Sequence, residues 1–326
     1  MTTDDRPLYR DREDFDATID AAAEQLGISA TAVEKDYWVT EVLRALAGSH
    51  SDDFIFKGGT SLSKAYHLVE RFSEDVDVLV LPADRGRGAT DKLMKQFAAT
   101  AAAHVNGEAR PVGSAETGRH RSCEIRYPTT RPPTDLIATS VLLEMGIRGG
   151  NHPHETRPVG CLLGDRLAAS GFPTDDYDDL RPVGVPVLHP VRTLLEKLVL
   201  IEGLATVLAE DPEVAIPGRT GRHFYDVYQL LGSQLVVDRL ADRLEFDTVV
   251  TDITEVSARW FSGTGRPEGR PSDGFASCRA FHPSDEISRR LSDSYGATMD
   301  ELHFGTEPLP TWDQICERVQ QTSELL

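Results

Sequence analysis

The residues with the most chemical content are Asp75 and Asp77, two apart in the run Asp75-Val76-Asp77-Val78-Leu79-Val80. Side chains alternate along a strand, so both carboxylates project from one face. Carboxylates held side by side repel unless a proton or cation lies between them, and oxygen-only ligation suits Mg²⁺ or Mn²⁺. Upstream, Phe54-Ile55-Phe56 reads as a buried strand and leads into Lys57-Gly58-Gly59-Thr60-Ser61. The glycines break the strand, and Thr60 or Ser61 stands where a helix N-cap belongs. Free N–H groups at such a helix start favour a phosphate. Lys64, one turn on, brings charge to offset a triphosphate. A phosphate cradle and a metal pair joined by one helix are the parts of phosphoryl or nucleotidyl transfer from an NTP.

The elements that position these groups follow from apolar spacing. Leu62, Ala65, Tyr66 and Val69 continue a helix after the glycine turn, and a strand covers 76–81. Before them, Phe15, Ile19, Ala22 and Leu26 mark an amphipathic helix ended by Gly27, and a second helix covers 29–46. Within the second, Glu34-Lys35-Asp36-Tyr37-Trp38 reads as a charged face with the two aromatics packed inward. After the Asp pair come a loop at 82–88, an alanine-rich helix capped by Thr90, and strands at 123–127 and 136–145. Glu144, near the end of the last strand, either joins the Asp pair as a third carboxylate or pairs with Arg148.

His152-Pro153-His154-Glu155 has metal-ligand residue types. Pro153 denies them regular spacing within a Gly/Asn/Pro-rich stretch, so a surface loop is the better reading. Pro190, at helix N1, opens a long helix that carries Lys197. Arg222 and Asp226 lie i and i+4 on a later helix, where a mutual surface pair is expected from spacing alone. Further helices are indicated at 236–244, 287–291 and 310–325, with a Gly/Pro/Arg-rich loop at 260–277.

Composition excludes several classes. The chain has 326 residues, 40% apolar and 27% charged, enough for two lobes and without a disorder signature. Four cysteines without Cys-x-x-Cys spacing argue against a zinc site and a disulfide framework. The first residues lack a signal-peptide core, and no apolar run reaches the ~18 residues of a membrane span. The chain reads as cytoplasmic. A net charge of −19 speaks against a broad nucleic-acid surface. Arg110, Arg119, Arg121, Arg126 and Arg131 nevertheless cluster, and read equally as a solvated loop or as a local RNA contact.

Four ordered stretches resemble a known family. Phe56-Lys57-Gly58-Gly59-Thr60-Ser61-Leu62-Ser63-Lys64 with Arg71-Phe72-Ser73-Glu74-Asp75-Val76-Asp77 is similar to the first two motifs of the AbiEii/AbiGii-type (MenT-like) toxins, members of the DNA polymerase β-like nucleotidyltransferases. Pro190-Val191-Arg192-Thr193-Leu194-Leu195-Glu196-Lys197 resembles the third motif, and Arg222-His223-Phe224-Tyr225-Asp226 the fourth. His223 stands where many members have Lys, which leaves the charge of that position open.

The resemblance implies an α/β (α+β) fold. A small mixed sheet with flanking helices would occupy 1–185, and a mainly helical lobe, 186–326, would bring Lys197 and Asp226 to a cleft. It implies Mg²⁺-dependent transfer of NMP from an NTP to RNA such as a tRNA 3′ end, by a toxin with a cognate antitoxin. Asp75, Asp77 and Glu144 would hold the metal. Lys57, Gly58, Gly59, Thr60, Ser61, Lys64 and Arg222 would hold the nucleotide, while Lys197 offsets charge and Asp226 orients Lys197 or acts as base. Thr60 or Ser61 is also expected as a phosphorylation control point. Protein nucleotidylation, kinase-like phosphoryl transfer and a non-catalytic nucleotide-responsive module are the alternatives. The preferred NTP and the oligomeric state carry no sequence signal.

Overall fold

The structure, a computed structural model, describes residues 7–71, 75–134, 137–261, 269–303, 305 and 307–326. Phe72, Ser73 and Glu74 of the second motif, Leu136 of an expected strand, and 262–268 of the expected loop lie outside the described residues. The chain divides into two compact units, one of 1–65, 73–147 and 154–187 and one of 66–72, 148–153 and 188–326. The excursion 66–72 has no compositional mark in the sequence, whereas 148–153 falls in the Gly/Asn/Pro-rich stretch.

The first unit begins with α1 (Arg12–Leu26) and α2 (Ala30–His50). Asp11 and Ser29 cap their starts by accepting from Asp14 N and Ala32 N, and Gly27 ends α1 in the left-handed conformation that glycine tolerates. There follow β1 (Phe54–Lys57), α3 (Gly58–Lys64), β2 (Asp75–Val80), α4 (Arg87–His104), β3 (Glu108–Glu116), β4 (His120–Arg126), β5 (Ser140–Gly146), β6 (His154–Val159), α5 (Leu162–Ala169) and β7 (Val183–Leu188). The strands form one mixed sheet of seven, in the order β3-β4-β5-β2-β1-β7-β6. β1 runs antiparallel to β2, while β2 and β5 are parallel. Helices α2 and α4 pack on this sheet. Alternation buries Val76, Val78, Leu143, Met145, Cys123 and Ile125 on its core side. It leaves Asp75, Asp77, Leu142 and Glu144 half-buried on the other.

Several expectations change at this level. The helix after the glycines stops at Lys64 rather than continuing to Val69, and its N-cap is Lys57, not Thr60 or Ser61. The arginines expected in a loop lie on the β3–β4 hairpin and the segment after it. Glu108 faces Arg126 and Arg110 faces Glu124 in register, Arg121 pairs with Asp91 at 2.8 Å, and Arg131 with Asp20 at 2.6 Å. Acidic neighbours thus answer the arginine cluster. His154 and Glu155 begin β6 rather than lying in a loop.

The charged face expected on α2 is interior. Glu34 and Lys35 are buried, and Glu34 accepts from Trp38 Nε1 (3.3 Å) and Thr129 Oγ1 (2.7 Å). Trp38 stacks on Tyr127 at 5.2 Å between centroids, which is consistent with its expected inward packing.

The second unit consists mainly of α6 (Pro190–Glu210), α7 (Gly221–Leu231), α8 (Gln234–Ala241), α9 (Arg243–Phe261), α10 (Glu286–Leu302) and α11 (Trp312–Gln321). Pro190 does stand at the start of α6, and His189 caps it through Nδ1 accepting from Val191 N. Within the unit α7 packs against α6, α10 and α11. No helix among the described residues is long and apolar enough to cross a membrane.

Candidate active site

In the first unit, strand pairing lines up a polar row across four strands. Lys57 faces Asp77, Asp77 faces Glu144, and Glu144 faces Ser122. Directly paired residues share a sheet face, so all four side chains emerge on the half-open one. Register thus sets the Asp77 and Glu144 carboxyls side by side on neighbouring strands. Ser122 Oγ donates to Glu144 Oε1 at 3.4 Å. Burial, with Glu144 and Asp75 alongside, pushes the Asp77 carboxyl up to about 7, although the Lys57 ammonium pulls the other way. Glu144 therefore does stand beside the Asp pair. Such a row holds negative charge in want of a cation.

The glycine turn and the carboxylates are in direct contact. Gly58 has φ +80°, and a Cβ there would lie 2.2 Å from Asp77 Oδ2. The Asp77 carboxylate thus occupies the space that a side chain at position 58 would need. Gly58→Ala is expected to destabilise by about 1–3 kcal/mol through backbone strain and to displace that carboxylate. Thermal denaturation and a transferase assay check this, with activity lost even at temperatures where the variant stays folded.

The other residues of the turn are placed differently from expectation. Thr60 and Ser61 are fully buried, their hydroxyls donating to Asp75 O (2.6 Å) and Gly58 O (2.8 Å). These hydroxyls brace the turn, and burial denies a kinase access to either. Gly58 and Gly59 are half-buried, so at the turn it is their backbone that retains exposure. Lys64 is buried and bonded through Nζ to Asp36 Oδ1 (2.5 Å) and Asp36 O (3.3 Å). The same Asp36 accepts from Leu162 N at the start of α5, 2.7 Å away. Lys64 thus pins α3 to α2 rather than reaching a phosphate. Lys64→Met is expected to leave that carboxylate without its cation and destabilise by about 1–3 kcal/mol, read by urea denaturation. The KM for NTP should change little.

The second unit gathers a compact charged cluster. Asp226, with no exposed surface, accepts a bidentate pair from Arg71, Nε to Oδ1 and Nη2 to Oδ2, both 2.6 Å. Lys197 Nζ lies 2.8 Å from Asp226 Oδ2 and 3.2 Å from His223 Nδ1. Arg71 and Lys197 thus both pair with this one carboxylate. Burial opposes ionisation of Asp226, but Arg71 and Lys197 win and hold its carboxyl well below the usual range. A carboxylate so held is a poor proton acceptor. Of the two roles expected for Asp226, orienting Lys197 fits and general base does not. The expected surface pair of Arg222 with Asp226 gives way to this interior one. Arg222 contributes positive potential at Lys197 and His223.

Burial lowers the Lys197 pKa, Asp226 pulls it back up, and Arg71 lowers it again. Burial and Lys197 together push His223 down to about 3, so the position left open by the sequence is uncharged at neutral pH. Arg71 was missed as a functional residue because its partner lies 155 positions away. Its place at the head of the Asp75/Asp77 motif was the available signal.

Solved structures resembling this chain include MenT4, a nucleotidyltransferase toxin of Mycobacterium tuberculosis H37Rv. That structure is 20% identical, covers 94% of this chain and 96% of its own, and superposes with a TM-score of 0.47. No curated protein sequence matches. The sequence model of the family described as nucleotidyl transferase AbiEii toxin, type IV toxin–antitoxin system, matches residues 41–318. That span takes in all the motif residues and both clusters. The chain therefore belongs to the AbiEii nucleotidyltransferase toxin family and is a nucleotidyltransferase of the toxin–antitoxin class.

Proposed function

We propose that this protein transfers NMP from an NTP to an RNA hydroxyl, such as a tRNA 3′ end, in a Mg²⁺- or Mn²⁺-dependent reaction restrained by a cognate antitoxin. The observation that carries the reading is the in-register row Lys57–Asp77–Glu144, set against a glycine whose missing side chain admits the carboxylate.

The donor set is all oxygen and fits a hard divalent ion, which would be held by carboxylates from among Asp75, Asp77 and Glu144. Among the described residues no three acidic, His or Cys groups hold an ion by themselves. Mg²⁺ needs only one or two carboxylates directly, its shell being completed by phosphate and water. When bound, the ion supplies Lewis-acid polarisation of the α-phosphate and eases pyrophosphate departure.

The chain's own residues do the rest. Backbone N–H groups of Gly58, Gly59, Thr60 and Ser61 bind the β- and γ-phosphates. Lys57 and Lys197 offset charge developing on the phosphates, with Arg222 adding positive potential, and Arg71 and Asp226 keep Lys197 in place. NTP and tRNA are cytoplasmic, so the reaction belongs there.

The test is to incubate the protein with Mg²⁺, each NTP in turn and total tRNA, then weigh RNA and protein by mass spectrometry. RNA heavier by one NMP, and unchanged with the Asp75→Ala/Asp77→Ala variant, is the expected result. An NMP on protein, a lone phosphate on either, or NTP binding without transfer would each replace the proposal with a different activity.

A further inference from the structure

We infer that His223 is a positioning residue for Lys197, its unprotonated Nδ1 holding the ammonium while its own proton stays on Nε2 throughout the reaction. This rests on the reading of Lys197 as the group that offsets phosphate charge, and it adds how that group is aimed.

The geometry begins with spacing. His223 and Asp226 are i and i+3 on α7, hence neighbours on one helix face. That face meets Lys197 of α6 at 3.2 Å and 2.8 Å respectively. An ammonium has three donors and no acceptor, so a nitrogen receiving its hydrogen bond must be bare. A neutral imidazole has one bare nitrogen and one N–H. With Nδ1 accepting, the proton belongs on Nε2.

The surroundings hold the ring neutral. The charged groups facing it are Lys197 from α6, Arg222 and Asp226 from α7, and Arg71 from the segment before β2. A protonated ring would add a further cation beside Lys197, Arg71 and Arg222. It would also turn Nδ1 into a donor pointed at another donor.

Positioning follows from the count of donors. Asp226 and His223 take two of the three ammonium N–H groups, both on the α7 side. The third is thereby directed away from α7, where an anion such as a phosphate oxygen can accept it. Without the imidazole acceptor the ammonium rotates about its Cδ–Cε and Cε–Nζ bonds while staying paired with Asp226. The fold survives, and the aim of the third N–H is lost.

Asn places its side-chain oxygen near the Nδ1 position, Gln reaches instead toward Nε2, and Ala supplies neither. The experiment compares His223→Asn, His223→Gln and His223→Ala for kcat and KM of NMP transfer across pH. A nitrogen-15 NMR spectrum of histidine-labelled wild type reports the tautomer of His223 directly. The expected result is kcat within about threefold of wild type for Asn and a roughly ten- to hundredfold loss for Gln and Ala, with KM for NTP little changed. The wild-type rate should show no acidic limb between about pH 5.5 and 7.5 that belongs to this residue, and NMR should show a neutral ring protonated on Nε2.

The inference is overturned if Asn is as impaired as Ala. It is equally overturned if the wild type has an acidic limb that His223→Asn removes, or if NMR finds the proton on Nδ1 or an imidazolium near pH 6. Should the wild type transfer no NMP at all, the proposed function fails on that result alone. The spectrum then still decides the tautomer.

Discussion

Asp77→Asn is expected to yield a protein that is folded, more heat-resistant than wild type in metal-free buffer at alkaline pH, and inactive. The reason is that Asp77 is held where its charge is costly. Burial and the neighbouring Glu144 and Asp75 raise its carboxyl to about 7, above the roughly 4 of an unfolded chain. The sign follows from linkage. Below the unfolded value the carboxyl is protonated in both states. Between that value and the folded one the unfolded chain releases its proton first, so stability falls as pH rises, and the deficit is complete above about 7.

An amide has no charge to bury, and it can still hydrogen-bond to Glu144. The gain is on the order of 1–3 kcal/mol above pH 7 and vanishes near pH 4. Thermal melts of both proteins in chelator at two pH values read it out. Activity should fall about a hundredfold or more, because the ligand set loses its central charge. A variant that is both less stable and inactive would show only that the residue is needed for folding.

The second large effect separates two residues in one cluster. Asp226→Asn removes the carboxylate that pairs with both buried Arg71 and Lys197, and is expected to destabilise the second unit by about 3–5 kcal/mol. Lys197→Met leaves the bidentate Arg71–Asp226 pair intact and removes a cation that burial already disfavours. Its stability should stay within about 1 kcal/mol of wild type while transfer falls roughly a hundredfold. Because the Asp226 carboxyl lies below its ordinary range, its contribution is present above about pH 4 and is lost as pH falls further. Chemical denaturation beside an NMP-transfer assay distinguishes the pair. An active Lys197→Met protein would remove Lys197 from the mechanism.

The layout of the candidate site was legible in the sequence where it is local. Alternation sufficed to put Asp75 and Asp77 on one face, and a glycine pair announced the turn. Spacing alone did not show that Gly58 and Asp77 touch, since this depends on β1 and β2 pairing with Lys57 opposite Asp77. Glu144 became the neighbour of Asp77 only through the parallel β2–β5 register. The residues misread were those whose partners lie far along the chain. Lys64 looked like a phosphate ligand because Asp36, 28 positions earlier, gave no hint of facing it. Asp226 looked like half of a helical i,i+4 pair because Arg71 is remote in sequence. Thr60 and Ser61 have the residue types of a phosphate cradle, yet their hydroxyls bond to backbone carbonyls inside the fold. Polar residue types mark a site, but their partners decide the role.

The measurement that tests the central claim most directly is the rate of NMP transfer from α-labelled NTP to tRNA by wild type and Asp77→Asn, at saturating Mg²⁺ and matched folded concentration. The account predicts labelled RNA from the wild type and none above background from the variant, with both proteins equally folded. Equal labelling by the two proteins would contradict it, because the carboxylate row would then not be the catalytic centre.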